Sequence, residues 1–283
     1  MARNRPRGIG SHRPSVGVNP KGSGRCIFAW GARLIPNPIR KVLSSIQQHQ
    51  VLALLMGGQA CVLYGAAEFS RDADFAILAG PANSARLRRA LDDLHAEVIA
   101  VPPFEPKYLR KGHAVHFRCR HPEASRMRID VMTKMRGVES FSKLWNRRTT
   151  LSLEGGLACE VISLPDLVKA KKTQRDRDWP MVRRLIEVHY FENRGHATRR
   201  QIQFWFLELR TPELLIELAE TRDGVPQHLI LKRPLLRFAK RGRALELARA
   251  MMAEETAVRI ADRQYWAPLK AELERLRHAQ AHH

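Results

Sequence analysis

Residues 54–78, LLMGGQACVLYGAAEFSRDADFAIL, constrain the fold more than any other stretch of the chain. They read as an apolar strand ending at Gly57-Gly58, a short helix over residues 59–67, and a second strand carrying Asp72-Ala73-Asp74. Side chains alternate across a strand, so Asp72 and Asp74 leave by the same face with one small residue between them. Two carboxylates on one face repel each other unless a cation lies between them. A hard cation such as Mg²⁺ takes carboxylate oxygens and completes its shell with water and substrate phosphates. Two glycines ahead of a helix leave its first amides uncovered and free to face an anion. Taken singly, an Asp-x-Asp occurs on many solvated strands and a Gly-Gly is an ordinary tight turn. Joined by a helix, with 13 residues between Gly58 and Asp72, the two are far more specific.

A third acid, Asp130, lies among apolar residues in Arg128-Ile129-Asp130-Val131-Met132. A carboxylate so placed needs a partner. Either a bound metal or an ion pair to Arg128 or Arg126 would supply one. Hydrophobic-Gly-Gly, about a dozen residues, Asp-x-Asp and then a carboxylate on a later strand: this succession resembles the nucleotidyltransferase superfamily that includes DNA polymerase β. The resemblance implies a small mixed α/β (α+β) sheet. It also implies two Mg²⁺ ions held by Asp72, Asp74 and Asp130, with NTP as substrate. NMP would pass to a hydroxyl of an RNA such as tRNA, of a protein or of a small molecule. Gly57 and Gly58 would hold the phosphates, with Ser70 bonding them or orienting the carboxylates. The family's Arg-x-Ser/Thr-x-Asp departs here at its first position, which is Glu68.

Residues 163–178, SLPDLVKAKKTQRDRD, form the second informative stretch. Ser163 and Asp166 fit a capping box with Asp in place of Glu, and Pro165 is tolerated in a first turn. At helical spacing, Leu164, Leu167 and Val168 share one face, while Lys169, Lys172, Thr173 and Asp176 gather on another. That second face is either solvated or a place where Lys169 or Lys172 reaches the triphosphate, oriented by Asp176 or Asp178. The stretch resembles the Lys…Arg-Asp-x-x-Asp helix of the abortive-infection and toxin–antitoxin branch of the superfamily, although Asp176 and Asp178 are two apart rather than three.

The chain has 283 residues and a formal net charge of +21, from 49 Lys and Arg against 28 Asp and Glu. Such a balance suits a polyanionic partner and says nothing about fold. No acid precedes Glu68, and residues 1–35 carry seven of the basic residues among Gly, Pro, Ser and Asn. That segment reads as a disordered extension or as a basic arm that tracks nucleic acid. The four cysteines are far apart with no C-x-x-C, which suggests neither a disulfide framework nor a zinc site, and points to reduced thiols in a cytoplasmic protein. No apolar run approaches the ~20 residues of a membrane span.

The division expected is a nucleotidyltransferase core over 36–162 and a helical domain over 163–283. Within the core, periodicity predicts helices over 39–50 and 83–95, the second capped by Asn83, and a strand over 98–101. It also predicts a strand over 113–118 that hairpins into the Asp130 strand, a helix over 140–147, and a hairpin over 151–162 turning at Gly155-Gly156. His113 and His116 have no carboxylate or cysteine at ligand spacing and read as structural or solvated. Lys232, Arg233, Arg237, Lys240, Arg241 and Arg243 read as a solvated cluster or as a groove for a nucleic-acid backbone. The alternative to an enzyme is a catalytically silent relative acting as an antitoxin-like or nucleic-acid-binding partner.

Overall fold

The computed structural model describes residues 36–222 and 224–281 of the protein; the basic segment 1–35 lies outside them. The fold is mixed α/β. One seven-stranded sheet fills the first half and helices fill the second. The strands are β1 (Ala53–Met56), β2 (Asp72–Ile77), β3 (Ala96–Val98), β4 (Val115–Cys119), β5 (Arg128–Met132), β6 (Thr149–Ser152) and β7 (Ala158–Val161), in the spatial order β3-β4-β5-β2-β1-β7-β6. β2 runs parallel to β5 and antiparallel to β1, β1 runs parallel to β7, and β3-β4, β4-β5 and β6-β7 are antiparallel pairs.

The two faces of the sheet differ, and the period-2 pattern of the sequence is the reason. Ala73, Phe75 and Ile77 of β2, Ile129 and Val131 of β5, and Val115 and Phe117 of β4 are buried on one face. Helices α1 (Asn37–Gln48) and α3 (Pro81–Asp93) belong to the same core through Ile39, Val42, Leu43, Leu87 and Leu91. The intervening residues Asp72, Asp74, Arg128, Asp130, His116 and Arg118 lie on the other face, half-buried or exposed. Apolar alternate residues thus fix which face is core, and the polar residues between them are left for chemistry.

Three elements differ from the sequence reading. α3 starts at Pro81 after Gly80, because Pro suits a first helical position. Asn83 is therefore one turn in; rather than capping, its buried amide bonds both the amide and the carbonyl of Leu52 and the carbonyl of Leu78. A short helix, α4 (Pro106–Lys111), lies between β3 and β4, and the third strand lies earlier than predicted, at Ala96–Val98. Helix α5 (Phe141–Arg147) and the β6-β7 hairpin lie close to their expected places.

No described strand follows β7. The helices are α6 (Leu164–Lys171), α7 (Asp178–Asn193), α8 (Arg199–Glu208), α9 (Pro212–Thr221), α10 (Gln227–Lys232), α11 (Leu236–Ala239) and α12 (Ala244–Ala281). Ser163 caps α6 as its sequence implies, accepting from the Asp166 amide and donating to that carboxylate at 2.7 Å. Trp205 and Phe206 are fully buried among these helices. Among the described residues no helix is long and apolar enough to cross a membrane.

Candidate functional site

The site lies on the polar face of the sheet where β1 ends and α2 (Gly57–Leu63) begins. Gly57 adopts φ +67°, a left-handed conformation that glycine enters without strain. A Cβ at Gly57 would lie 1.8 Å from Asp74 Oδ2, and one at Gly58 would lie 2.5 Å from Ser70 Oγ. Both glycines are required by close approach. The Asp74 carboxyl sits directly on the turn and accepts from the Gly58 amide, while Ser70 packs on Gly58 and donates to the Asp72 carbonyl at 3.2 Å.

Strand register brings the three acids together. Asp74 is the direct partner of Asp130 across β2-β5, and Asp130 is the partner of His116 across β5-β4. One row across the face is therefore Asp74, Asp130, His116. The adjacent row on the same face is Asp72, Arg128, Arg118. Burial pushes the Asp74 carboxyl above its ordinary range and the Asp130 charge adds to this, with Lys171 and the Gly58 amide pulling back. Asp130 goes the other way. Burial alone would raise it, but Oδ1 accepts from His116 Nδ1 at 2.8 Å and Arg128 Nε at 2.7 Å, and together they hold the carboxyl below the usual range. The ion pair to Arg128 read from the sequence is thus formed. His116, which lacked a visible partner in the sequence, gains one across the sheet.

Whether these residues fit divalent metal turns on Asp130. Among the described residues no group of three or more His, Cys, Asp and Glu side chains is arranged to hold a metal ion. Asp72 and Asp74 do stand on one face, and Asp74 is a raised, half-buried carboxyl with like charges beside it, a donor set suited to a hard cation. Asp130 Oδ2 is bonded by neither Arg128 nor His116, so two acids and one free oxygen of the third are available.

The lysines differ from the sequence reading. α6 ends at Lys171, and Lys172 is a C-cap with φ −77° and ψ 73°, so helical spacing does not extend to it. Lys172 turns away into the helices and pairs with Glu208, where burial lowers its pKa. Lys169 is 44% exposed and 3.9 Å from Asp166. The cation whose charge bears on Asp74 is Lys171. It is 15% exposed and held 3.3 Å from Asp178 Oδ1. Asp178 is buried and also accepts from Thr173 and, at 2.8 Å, from Arg175. Asp178 therefore orients the lysine, whereas Asp176 is exposed and pairs with Arg259. Cys61 lies within reach of the same charges, but burial pushes its thiol up to about 11, and burial likewise raises Cys119 to about 11 and Cys159 to about 12. None of the three has thiolate character.

The face thus carries a glycine turn, a lysine held by an acid, and three carboxylates of which one is paired with an arginine and a histidine. No protein-family model and no curated protein matches the chain.

Proposed function

We propose that the protein is a Mg²⁺-dependent nucleotidyltransferase that moves NMP from an NTP to an acceptor hydroxyl. The observation that carries this reading is the seat of Asp74. It is one of two acids on β2, lies on a Gly-Gly turn with no room for a Cβ, and stands in register with a third acid on the neighbouring parallel strand. A plain structural salt bridge needs no such arrangement. Asp72 and Asp74, with Oδ2 of Asp130, would hold magnesium, which supplies charge neutralisation at the triphosphate and acidifies the acceptor hydroxyl.

The chain's own groups then have distinct roles. Gly57, Gly58 and Ser70 line the phosphate side, and Lys171, fixed by Asp178, gives a point charge there. In the transfer the acceptor oxygen forms a bond to the α-phosphorus as the bond from that phosphorus to the bridging oxygen breaks and pyrophosphate leaves. The hydroxyl proton leaves to solvent water, since Oδ2 of Asp130 would be taken by magnesium and its carboxyl is held below the usual range. Positioning and charge neutralisation account for most of such catalysis.

The test is incubation with each α-³²P-NTP, Mg²⁺, and total RNA and protein as acceptors, beside an Asp72→Ala/Asp74→Ala double variant. Label transferred by the wild type alone, in a band that identifies the acceptor, is the expected result. Mg²⁺ should also raise the melting temperature of the wild type and leave that of the double variant unmoved.

A second reading is favoured by one observation, the Asp130–Arg128–His116 cluster, which neutralises a carboxylate with protein groups. On this reading the site binds a nucleotide or nucleic acid without turnover. Nucleotide-dependent stabilisation with no label transferred to any acceptor would favour it.

A further inference from the structure

The face of the sheet opposite the carboxylates holds a cavity that the proposed function does not use. Its volume is about 360 Å³, a size that suits a small molecule. Ile46 of α1, Val51 and Ala53 at the entry to β1, Phe75 of β2, Cys159 of β7 and Trp145 of α5 line it. Phe75 follows Asp74 directly, and alternation along β2 sends the two side chains to opposite faces, so the sheet itself separates the cavity from the acids. Five of those six side chains are buried, and burial pushes the Cys159 thiol up to about 12, so it is neutral. Trp145 is half-buried and held in place, stacked on Phe141 with the Arg148 guanidinium 4.2 Å from its ring centroid.

Polar groups also line the cavity, and their unused bonding capacity defines what would fill it. Arg86 of α3 donates through Nη1 to the Gln50 carbonyl at 3.2 Å, which anchors its fork, yet it forms no ion pair among the described residues. Gln47 accepts from the Ala158 amide at 3.1 Å through Oε1, so its Nε2 is a donor with no partner among the described residues. The Gln50 amide donates to the Gln47 carbonyl at 2.9 Å, so one turn after α1 brings Gln47 and Arg86 together. Glu160 is the one acid in the lining, and its Oε2 is already taken by Arg148 and Thr150, each at 2.6 Å. An arginine without a counter-ion and a spare amide donor, set among apolar walls, call for one anionic group on an apolar body. A carboxylate matches both the planar fork and its single charge, whereas a phosphate dianion would bring more charge than Arg86 balances.

We propose that this cavity binds a small apolar carboxylic acid as its anion. The carboxylate accepts from Arg86 and from Gln47 Nε2, and the apolar body packs on Ile46, Phe75 and Trp145. The site does not rest on the nucleotidyltransferase reading.

The test follows the fluorescence of anilinonaphthalene sulfonate, whose sulfonate stands in for the carboxylate, beside its uncharged analogue N-phenylnaphthylamine. Wild type is compared with three variants. Arg86→Gln removes the charge. Ala158→Trp puts a ring into the cavity from an exposed position and keeps the Ala158 amide. Arg89→Gln, an exposed arginine of the same helix that does not line the cavity, is the charge-matched control. Arg86→Gln should weaken the sulfonate probe on the order of tenfold and Arg89→Gln less than about twofold, with the uncharged probe indifferent to both. Ala158→Trp should weaken both probes. Naphthoate and decanoate should displace the sulfonate probe, and their methyl esters on the order of tenfold less well; the stronger of the two acids tells whether the cavity takes a ring or a chain. Equal losses in Arg86→Gln and Arg89→Gln would show only the protein's net charge at work and overturn the site. Acids and esters that compete equally would also overturn it, as would probe binding that Ala158→Trp leaves unchanged. Melting temperatures check that each variant folds. Should Ala158→Trp not fold, Gln47→Leu replaces it and should weaken the sulfonate probe alone; no loss there would equally overturn the proposal.

Discussion

Asp74 has its carboxyl raised because burial and the charge of Asp130 disfavour ionisation, with Lys171 and the Gly58 amide only partly opposing them. The folded protein therefore binds this proton more tightly than the unfolded chain does. Stability from Asp74 is greatest below the ordinary carboxylate range and falls as pH rises through the raised value, so at neutral pH the ionised group works against the fold. Asp74→Asn keeps an acceptor for the Gly58 amide and removes the charge. In EDTA at pH 7 it should melt higher than wild type, by about 0.5–2 kcal/mol of stability as for other relieved functional sites. The gain should vanish in melts below the ordinary carboxylate range, and a gain independent of pH would refute the charge account. The glycines beside it separate two effects. Gly57→Ala meets both a positive φ and the Asp74 carboxyl, so it should lose roughly 1–3 kcal/mol of stability along with nucleotide binding. Gly58→Ala has no positive φ and meets only the Ser70 side chain, so nucleotide affinity should fall with a smaller change in denaturation midpoint.

At the scale of elements, the end of α6 decides which lysine reaches the site. Lys171→Met should weaken NTP binding by at least about tenfold, the usual size of a lost bond to a charged group, while Lys169→Met changes it less than about twofold. Isothermal titration with a non-hydrolysable NTP measures both, and a larger effect at Lys169 would restore the position that helical spacing alone suggests. Spacing misled because a run of Lys, Thr, Gln, Arg and Asp carries no sign of where the helix stops; the break comes from Lys172 swinging toward Glu208, 36 residues later in the chain. The Asp-x-Asp strand, its glycine turn and the third acid were legible for the opposite reason. Each is local and set in apolar residues whose alternation fixes the face. The pairing of His116 with Asp130 was not legible, since it needs the register of β4 on β5, which no short-range pattern encodes.

Over the whole molecule, α12 ties the helices to the sheet, and every contact that does so is distant in sequence. At one end Glu254 receives Arg210 at 2.6 Å and the buried Arg233 at 3.0 Å, so Arg233 belongs to the interior rather than to a basic groove. In the middle Asp262, 3% exposed, accepts from Arg136 at 3.0 Å, from the Gln174 amide at 2.8 Å and from Trp266. Gln174 follows α6 and precedes Asp178, so the same carboxylate that anchors α12 also fixes the turn that sets Lys171. Farther on, Glu272 takes Lys111 and the buried His113, which hold its carboxyl down to about 2. Glu272 contributes stability above the ordinary glutamate range that is lost as pH falls toward about 2, but its exposure and solvent screening keep that share small. Asp262 differs because three donors lose their acceptor at once inside the protein. Asp262→Ala should therefore cost about 3 kcal/mol or more in denaturant unfolding, against less than about 1 kcal/mol for Glu272→Gln. It should also speed hydrogen exchange in residues 172–178 as well as in α12, and weaken NTP binding although Asp262 is no part of the phosphate side. Exchange that accelerates in α12 alone would separate the anchor from the site and leave Lys171 to be held by Asp178 unaided.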